Sequence, residues 1–268
     1  MKLVGGMVLL SLGMAGCWGI GSADTNQFQP SPPPGEGPGF GFDLGLPGGP
    51  LGPQPTFGPT VSAATPPPPL SGGTLVMLKD GKSAFAADPD RDQAYLVALA
   101  TPALTATVTL TAGDEPGRAI EDGAGKLHLV LRGGGAVALI DPATATIVER
   151  KAVCAAPRGI AYEAATDRVH VACAGGELVS LPAAGGDAVR TVTLERDLRD
   201  VIVVGTQLWV STLRTAQIIV VNADGSVARR LSLPQDLSPA GSFSPSVAWR
   251  MLALADGTVG VAHQRGLT

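Results

Sequence analysis

Apolar residues in the second half of this chain come in short clusters rather than long stripes. LHLVL (127–131), AVALI (136–140), GIAY (159–162), VHVAC (169–173), LVSL (178–181), VIVV (201–204), LWV (208–210) and IIVV (218–221) are the clearest. Turn-forming residues separate them: Gly133-Gly134-Gly135, Asp141-Pro142, Gly175-Gly176, Gly185-Gly186 and Asn222-Ala223-Asp224-Gly225. Apolar runs of this length, closed off by Gly, Pro, Asn and Asp, predict short β-strands. Alternation is loose, and VIVV and IIVV are almost continuous, which predicts sheets covered on both faces.

The clusters recur. PGRAIEDGAGKLHLVLRGGGAVALIDP from Pro116, PRGIAYEAATDRVHVACAGGELVSLP from Pro157 and LRDVIVVGTQLWVSTLRTAQIIVVNADG from Leu198 align with one another. Arg118, Arg158 and Arg199 hold the same place at intervals of 40 and 41 residues, and His128, His170 and Trp209 correspond at 42 and 39. SAFAADPDRDQAYLVAL from Ser83 reads as an earlier copy that sets Tyr95 against His170, and a weaker fifth copy begins near Val247. Each unit divides into four strands, which in the copy from Pro157 are expected at 158–164, 168–173, 177–182 and 189–194. A period near 40 with four strands per unit is the arithmetic of a β-propeller blade.

The units resemble YVTN-type propeller repeats, and PRGIAYEAATDRVHVACAGGELVSL and LHLVLRGGGAVALIDPATATIV carry the likeness. The Trp-Asp and Gly-His marks of WD repeats do not occur in them. The resemblance spans residues 74–268 and implies an all-β β-propeller of about four to five blades. YVTN-type propellers usually close with seven, so the count predicts an incomplete propeller, cut short at its C-terminal end, ahead of a small closed one.

Two segments precede the repeats. Residues 1–17, MKLVGGMVLLSLGMAGC, have the layout of a secretory signal: Lys2, an apolar stretch and small residues before a cysteine. Met14-Ala15-Gly16-Cys17 resembles the bacterial lipobox, departing from it at Met14, and implies lipidation of Cys17 as the mature N-terminus. Cleavage after Gly21-Ser22-Ala23 is the alternative and leaves a secreted protein. Residues 18–73 form the second segment, and 24–73 hold 14 of the 23 prolines. With charges scarce, that stretch predicts a disordered, partly polyproline-like tether.

Composition narrows the function classes. Net charge is −4, no basic block occurs, and aromatics are 4%; a nucleic-acid partner needs a positive stripe that is missing here. No Ser-His-Asp motif, phosphate-cradling loop or Cys-x-x-Cys-His is found, and no cofactor or metal site is predicted. The Asp88, Asp90 and Asp92 turn lacks the glycine and distal Glu of a calcium loop and reads as solvated.

Three sets of residues stand out. Cys154 lies in the loop leading to an inner strand and Cys173 at the end of the next strand, so a disulfide is predicted; two buried thiols are the alternative. Arg118, Arg158 and Arg199 begin successive inner strands and are expected at the mouth of the central channel. They either hold a carboxylate or phosphate ligand or pair with a carboxylate or backbone carbonyl of the adjoining blade, at residues such as Asp114, Glu115, Asp197 or Asp200. His128 and His170, exchanging with Trp209, read as packing positions.

These features predict a lipid-anchored propeller at the bacterial cell envelope, facing the periplasm or exterior. It acts as a binding or interaction scaffold for a protein or small anionic ligand and touches the membrane through its N-terminal lipid. The alternative follows from the resemblance, since such propellers are similar to haem d1 and quinoprotein domains. It makes the chain the propeller part of a redox enzyme, cytochrome peroxidase-like, whose catalytic module lies beyond Thr268.

Overall fold

The computed structural model describes residues 74–238, 241–254 and 257–267. The signal segment, Cys17 and the tether of residues 18–73 lie outside them. All regular structure among the described residues is β, in five antiparallel sheets that follow the chain in order.

Sheet 1 is β1 (Leu75–Met77), β2 (Ser83–Asp88), β3 (Gln93–Ala98) and β4 (Ala103–Thr109). Sheet 2 is β5 (Pro116–Glu121), β6 (Leu127–Leu131), β7 (Ala136–Asp141) and β8 (Thr146–Ala152). Sheet 3 is β9 (Pro157–Glu163), β10 (Arg168–Cys173), β11 (Glu177–Pro182) and β12 (Arg190–Thr193), each within a residue or two of its expected span. Sheet 4 is β13 (Leu198–Val204), β14 (Gln207–Thr212), β15 (Gln217–Val221) and β16 (Val227–Ser232). Sheet 5 has three strands, β17 (Asp236–Ser238), β18 (Gly241–Ala253) and β19 (Val259–Leu267).

Burial explains the stacking. The middle strands of sheet 2 are buried almost throughout, whereas the last strand, β8, is mostly exposed. Alternate side chains of one strand therefore feed two different cores. Leu129 and Leu131 of β6 join Phe85 and Leu96 of sheet 1, while Val130 joins Val169 and Val171 of sheet 3. Ala172 and Leu178 in turn meet Val201, Val210 and Ile219 of sheet 4. Ile218 meets Met251, Val259 and Val261 of sheet 5. Four separate cores between five sheets exclude a two-sheet sandwich and give the stack radial order.

One expectation needs correction. Tyr95 lies on β3, the third strand of its sheet, whereas His170 lies on β10, the second strand of sheet 3. QAYLVALATPALTATV therefore corresponds to AVALIDPATATIV, a third strand, turn and fourth strand. The three-residue β1 is too short to show as an apolar cluster, and without it the first unit slips by one strand. That slip also explains why no Gly-rich turn follows Tyr95.

Candidate functional site

The first strands of sheets 2, 3 and 4 share a defect in their pairing. In sheet 2, Pro116 pairs with Leu131 and Ala119 with Leu129, so Gly117 and Arg118 together face one residue. In sheet 3, Pro157 pairs with Cys173 and Gly159 with Ala172, leaving Arg158 out of the ladder. In sheet 4, Leu198 pairs with Thr212 and Asp200 with Ser211, leaving Arg199 out. A β-bulge breaks strict alternation and re-aims the side chain at the extra residue. The recurring arginines are thus bulge residues, turned away from the inter-sheet cores and toward the common centre.

There they border one cavity of about 490 Å³. Arg118, Arg158 and Arg199 are in its wall with Arg132, Arg250 and Trp249, and residues of sheets 2 to 5 contribute together with Thr74, which precedes β1. Arg132 follows β6, and Arg250 lies on β18, where it pairs with Ala262 in the ladder. β18 carries its own bulge, between Ala248 and Arg250, which frees Trp249 from the ladder. The Trp249 carbonyl so released accepts a hydrogen bond from Arg118 Nη2.

The arginines are not equivalent. Arg118, 8% exposed, crosses the centre and pairs through Nη1 with Asp200, which is fully buried. Asp200 also accepts the N–H of Met251 at 2.7 Å and of Val201 at 3.0 Å, and Arg250 Nη1 stands 3.7 Å away. Burial pushes Arg118 down to about 10, with Arg250 and Arg199 pushing the same way and Asp200 opposing. Burial likewise raises the Asp200 carboxyl above the ordinary range against the pull of Arg118 and Arg250.

On the other side of the cavity Asp197 and Asp200 act on the Arg199 charge without pairing with it. Among the described residues neither Arg158 nor Arg199 forms an ion pair, and Arg199 Nε is buried without a hydrogen-bond partner. Burial lowers the Arg199 pKa and Arg158 and Arg132 lower it further, with Asp200 and Asp197 opposing. Arg132 Nε donates to the Glu115 carbonyl, at 3.2 Å. Of the four carboxylates expected to pair with inner-strand arginines, Asp200 alone does so. Asp114 binds Arg150 at 2.6 Å, and Asp197 lies 4.0 Å from Arg214.

A disulfide joins Cys154 to Cys173, with the Cα atoms 6.4 Å apart. It ties the residues before β9 to the strand position opposite Pro157, so it holds the bulge that carries Arg158. The remaining candidates fall elsewhere. His128, 3% exposed, shares a hydrogen bond of 2.9 Å with Asp122, and His170, 1% exposed, contacts Ser180 at 2.9 Å and Glu163 at 3.2 Å. Asp88 accepts N–H groups of its own turn, while Asp92 accepts those of Gly113 and Glu115 beside the next sheet.

Sequence reasoning missed Arg250 and Arg132. Arg250 follows Arg199 by 51 residues, because β17 and the first half of β18 are inserted ahead of it and break the 40-residue period. Arg132 sits at the start of the Gly133-Gly134-Gly135 turn, where a lone arginine reads as solvated.

No protein-family model matches the chain, and no curated protein matches it. Solved structures do. The hydrazine synthase of Kuenenia stuttgartiensis superposes with a TM-score of 0.62 at 17% identity, covering 77% of this chain and 59% of that one. A streptogramin B lyase gives 0.60 at 14% identity, covering 74% and 66%. Virginiamycin B lyase from Staphylococcus aureus gives 0.58 at 12% identity, covering 69% and 61%. The chain thus spans about 60% of the length of the solved proteins it matches. Its fold is that of a β-propeller built from four-stranded antiparallel blades.

Proposed function

We propose that this protein is an exported binding propeller that holds a small anionic ligand in its central cavity. The observation that carries the reading is the pair Arg158 and Arg199, turned inward by bulges and left without an ion pair. Burying guanidinium charge without a partner is costly, and an anion entering the cavity supplies the partner. The wall favours binding over catalysis. Asp200, the carboxylate in contact with the wall, is engaged by Arg118 and two backbone N–H groups and is not free to act as a base.

The Cys154–Cys173 disulfide supports an oxidising compartment and so supports export. In this reading Cys17 carries the lipid and residues 18–73 span the distance to the envelope surface. Two experiments test the proposal. Inorganic phosphate at low ionic strength should raise the melting temperature of the wild type but not of R158Q/R199Q; equal shifts in both would overturn the site. Labelling with a clickable fatty acid should mark wild type and not C17S, and an unlabelled wild type would overturn the anchor.

A further inference from the structure

The ligand class can be narrowed, on the reading of the cavity as an anion site. We propose that it takes a small organic polyanion, one molecule carrying at least two carboxylate or phosphate groups. Arg132, Arg158 and Arg199 are its ligands, and Arg118, Asp200 and Arg250 form a fixed wall.

Charge is the first argument. Asp200 is already shared between Arg118 and Arg250, and it acts on Arg199 without pairing with it. With Asp200 ionised, five arginines and one aspartate leave the wall at +4 (5 − 1). A monoanion would leave most of that charge unpaired. Two or three anionic groups on one skeleton can pair Arg132, Arg158 and Arg199 together, each guanidinium offering a planar fork suited to carboxylate or phosphate.

Size is the second. The cavity, about 490 Å³, is in the range of small-molecule sites and far exceeds what one bare oxyanion fills. Trp249, 38% exposed, stands in the same wall and offers contact to a carbon skeleton.

Preorganisation is the third. Bulges set the backbone from which Arg158 and Arg199 project, and the Arg158 bulge is stapled by the disulfide. Gly117 leaves room for the third ligand, since a Cβ there would lie 3.1 Å from Arg132 Cδ and press on the side chain. A backbone already in the binding geometry need not be ordered by the ligand, so affinity should follow the number of charges the ligand presents.

Calorimetric titration of the full chain with acetate, succinate and citrate tests the class. Affinity should rise by about tenfold for each added carboxylate, the size of one charge-assisted hydrogen bond. Citrate affinity should fall by about tenfold or more in R158Q and in R199Q, and stay unchanged in R229Q, an exposed arginine stacked on Trp209. The valence series is read on the unaltered chain, so it decides even where a variant fails to fold. Citrate binding no tighter than acetate would overturn the polyanion class, and the anion reading would survive if phosphate still stabilises through Arg158 and Arg199. Binding of none of these anions would remove both.

Discussion

Asp200 is the residue whose loss should cost this fold most per atom changed. Asp200→Asn keeps the side-chain volume but removes the charge and one of two acceptor oxygens. The present carboxylate takes Arg118 and the Val201 N–H on Oδ1 and the Met251 N–H on Oδ2. An amide cannot serve both sides, because its NH₂ must face either the Arg118 guanidinium or a backbone N–H. Arg118, 8% exposed, then remains buried beside Arg250 and Arg199 with no counter-charge. Removing one partner of a buried pair costs about 3–5 kcal/mol. At about 2–4 °C per kcal/mol for a domain of this size, the melting temperature should fall by roughly 6–20 °C. Thermal and urea unfolding of D200N, R118M and the double variant is the assay. The double variant should recover part of the loss, with a coupling of about 2 kcal/mol, since it no longer buries an orphan guanidinium. Single variants that lose less than about 1 kcal/mol, or costs that simply add, would refute the claim that sheets 2, 4 and 5 are locked through this pair.

Three further outcomes follow from the same geometry. Reduction of the Cys154–Cys173 bond, which spans 19 positions, should destabilise the domain by about 3 kcal/mol. A melting curve unmoved by dithiothreitol in wild type would contradict it. Gly159→Ala places a Cβ 2.8 Å from Asp200 Cα and 2.9 Å from Val201 N, backbone atoms that cannot yield cheaply. The cost in urea unfolding should be about 1–3 kcal/mol, and a neutral variant would show that sheets 3 and 4 are less closely apposed. His128 and His170 set a pH dependence: burial holds both below the usual 6.5 despite Asp122 and Glu163. The unfolded chain then binds protons near pH 6.5 that the folded chain refuses, so their contribution is intact above that pH and is lost as pH falls below it. Urea midpoints at about pH 7.5 and 5 should differ less in H128Q and H170Q than in wild type, and equal slopes would contradict the assignment.

Much of the architecture was legible because blades repeat. Turn residues between short apolar clusters gave the strand limits of sheet 3 to within a residue or two, and the 40- and 41-residue arginine spacing pointed to one end of each inner strand. What stayed hidden depends on contacts that do not repeat. Arg118 and Asp200 are 82 positions apart and meet only across the centre of the stack. β1 has three residues and leaves no periodic trace, so the first unit was read one strand out of step. The bulges hide in plain sequence, because an extra residue looks like any other until its partner strand is known. They nevertheless decide the chemistry, since strict alternation would have sent these side chains into the cores between sheets. The sequence could offer ligand holding and carboxylate pairing as rival roles for the three arginines. The structure divides them, with Arg118 paired to Asp200 and Arg158 and Arg199 left facing the cavity.

The central idea, that strand defects converge cationic side chains on one anion site, is tested most directly by diffraction from crystals soaked in selenate, a dianion with its own anomalous signal. The strongest anomalous peak should lie among Arg132, Arg158 and Arg199, within hydrogen-bond distance of at least two of their guanidiniums. Selenate bound only on the outer strands, with Arg158 and Arg199 swung onto carboxylates of neighbouring sheets, would contradict it.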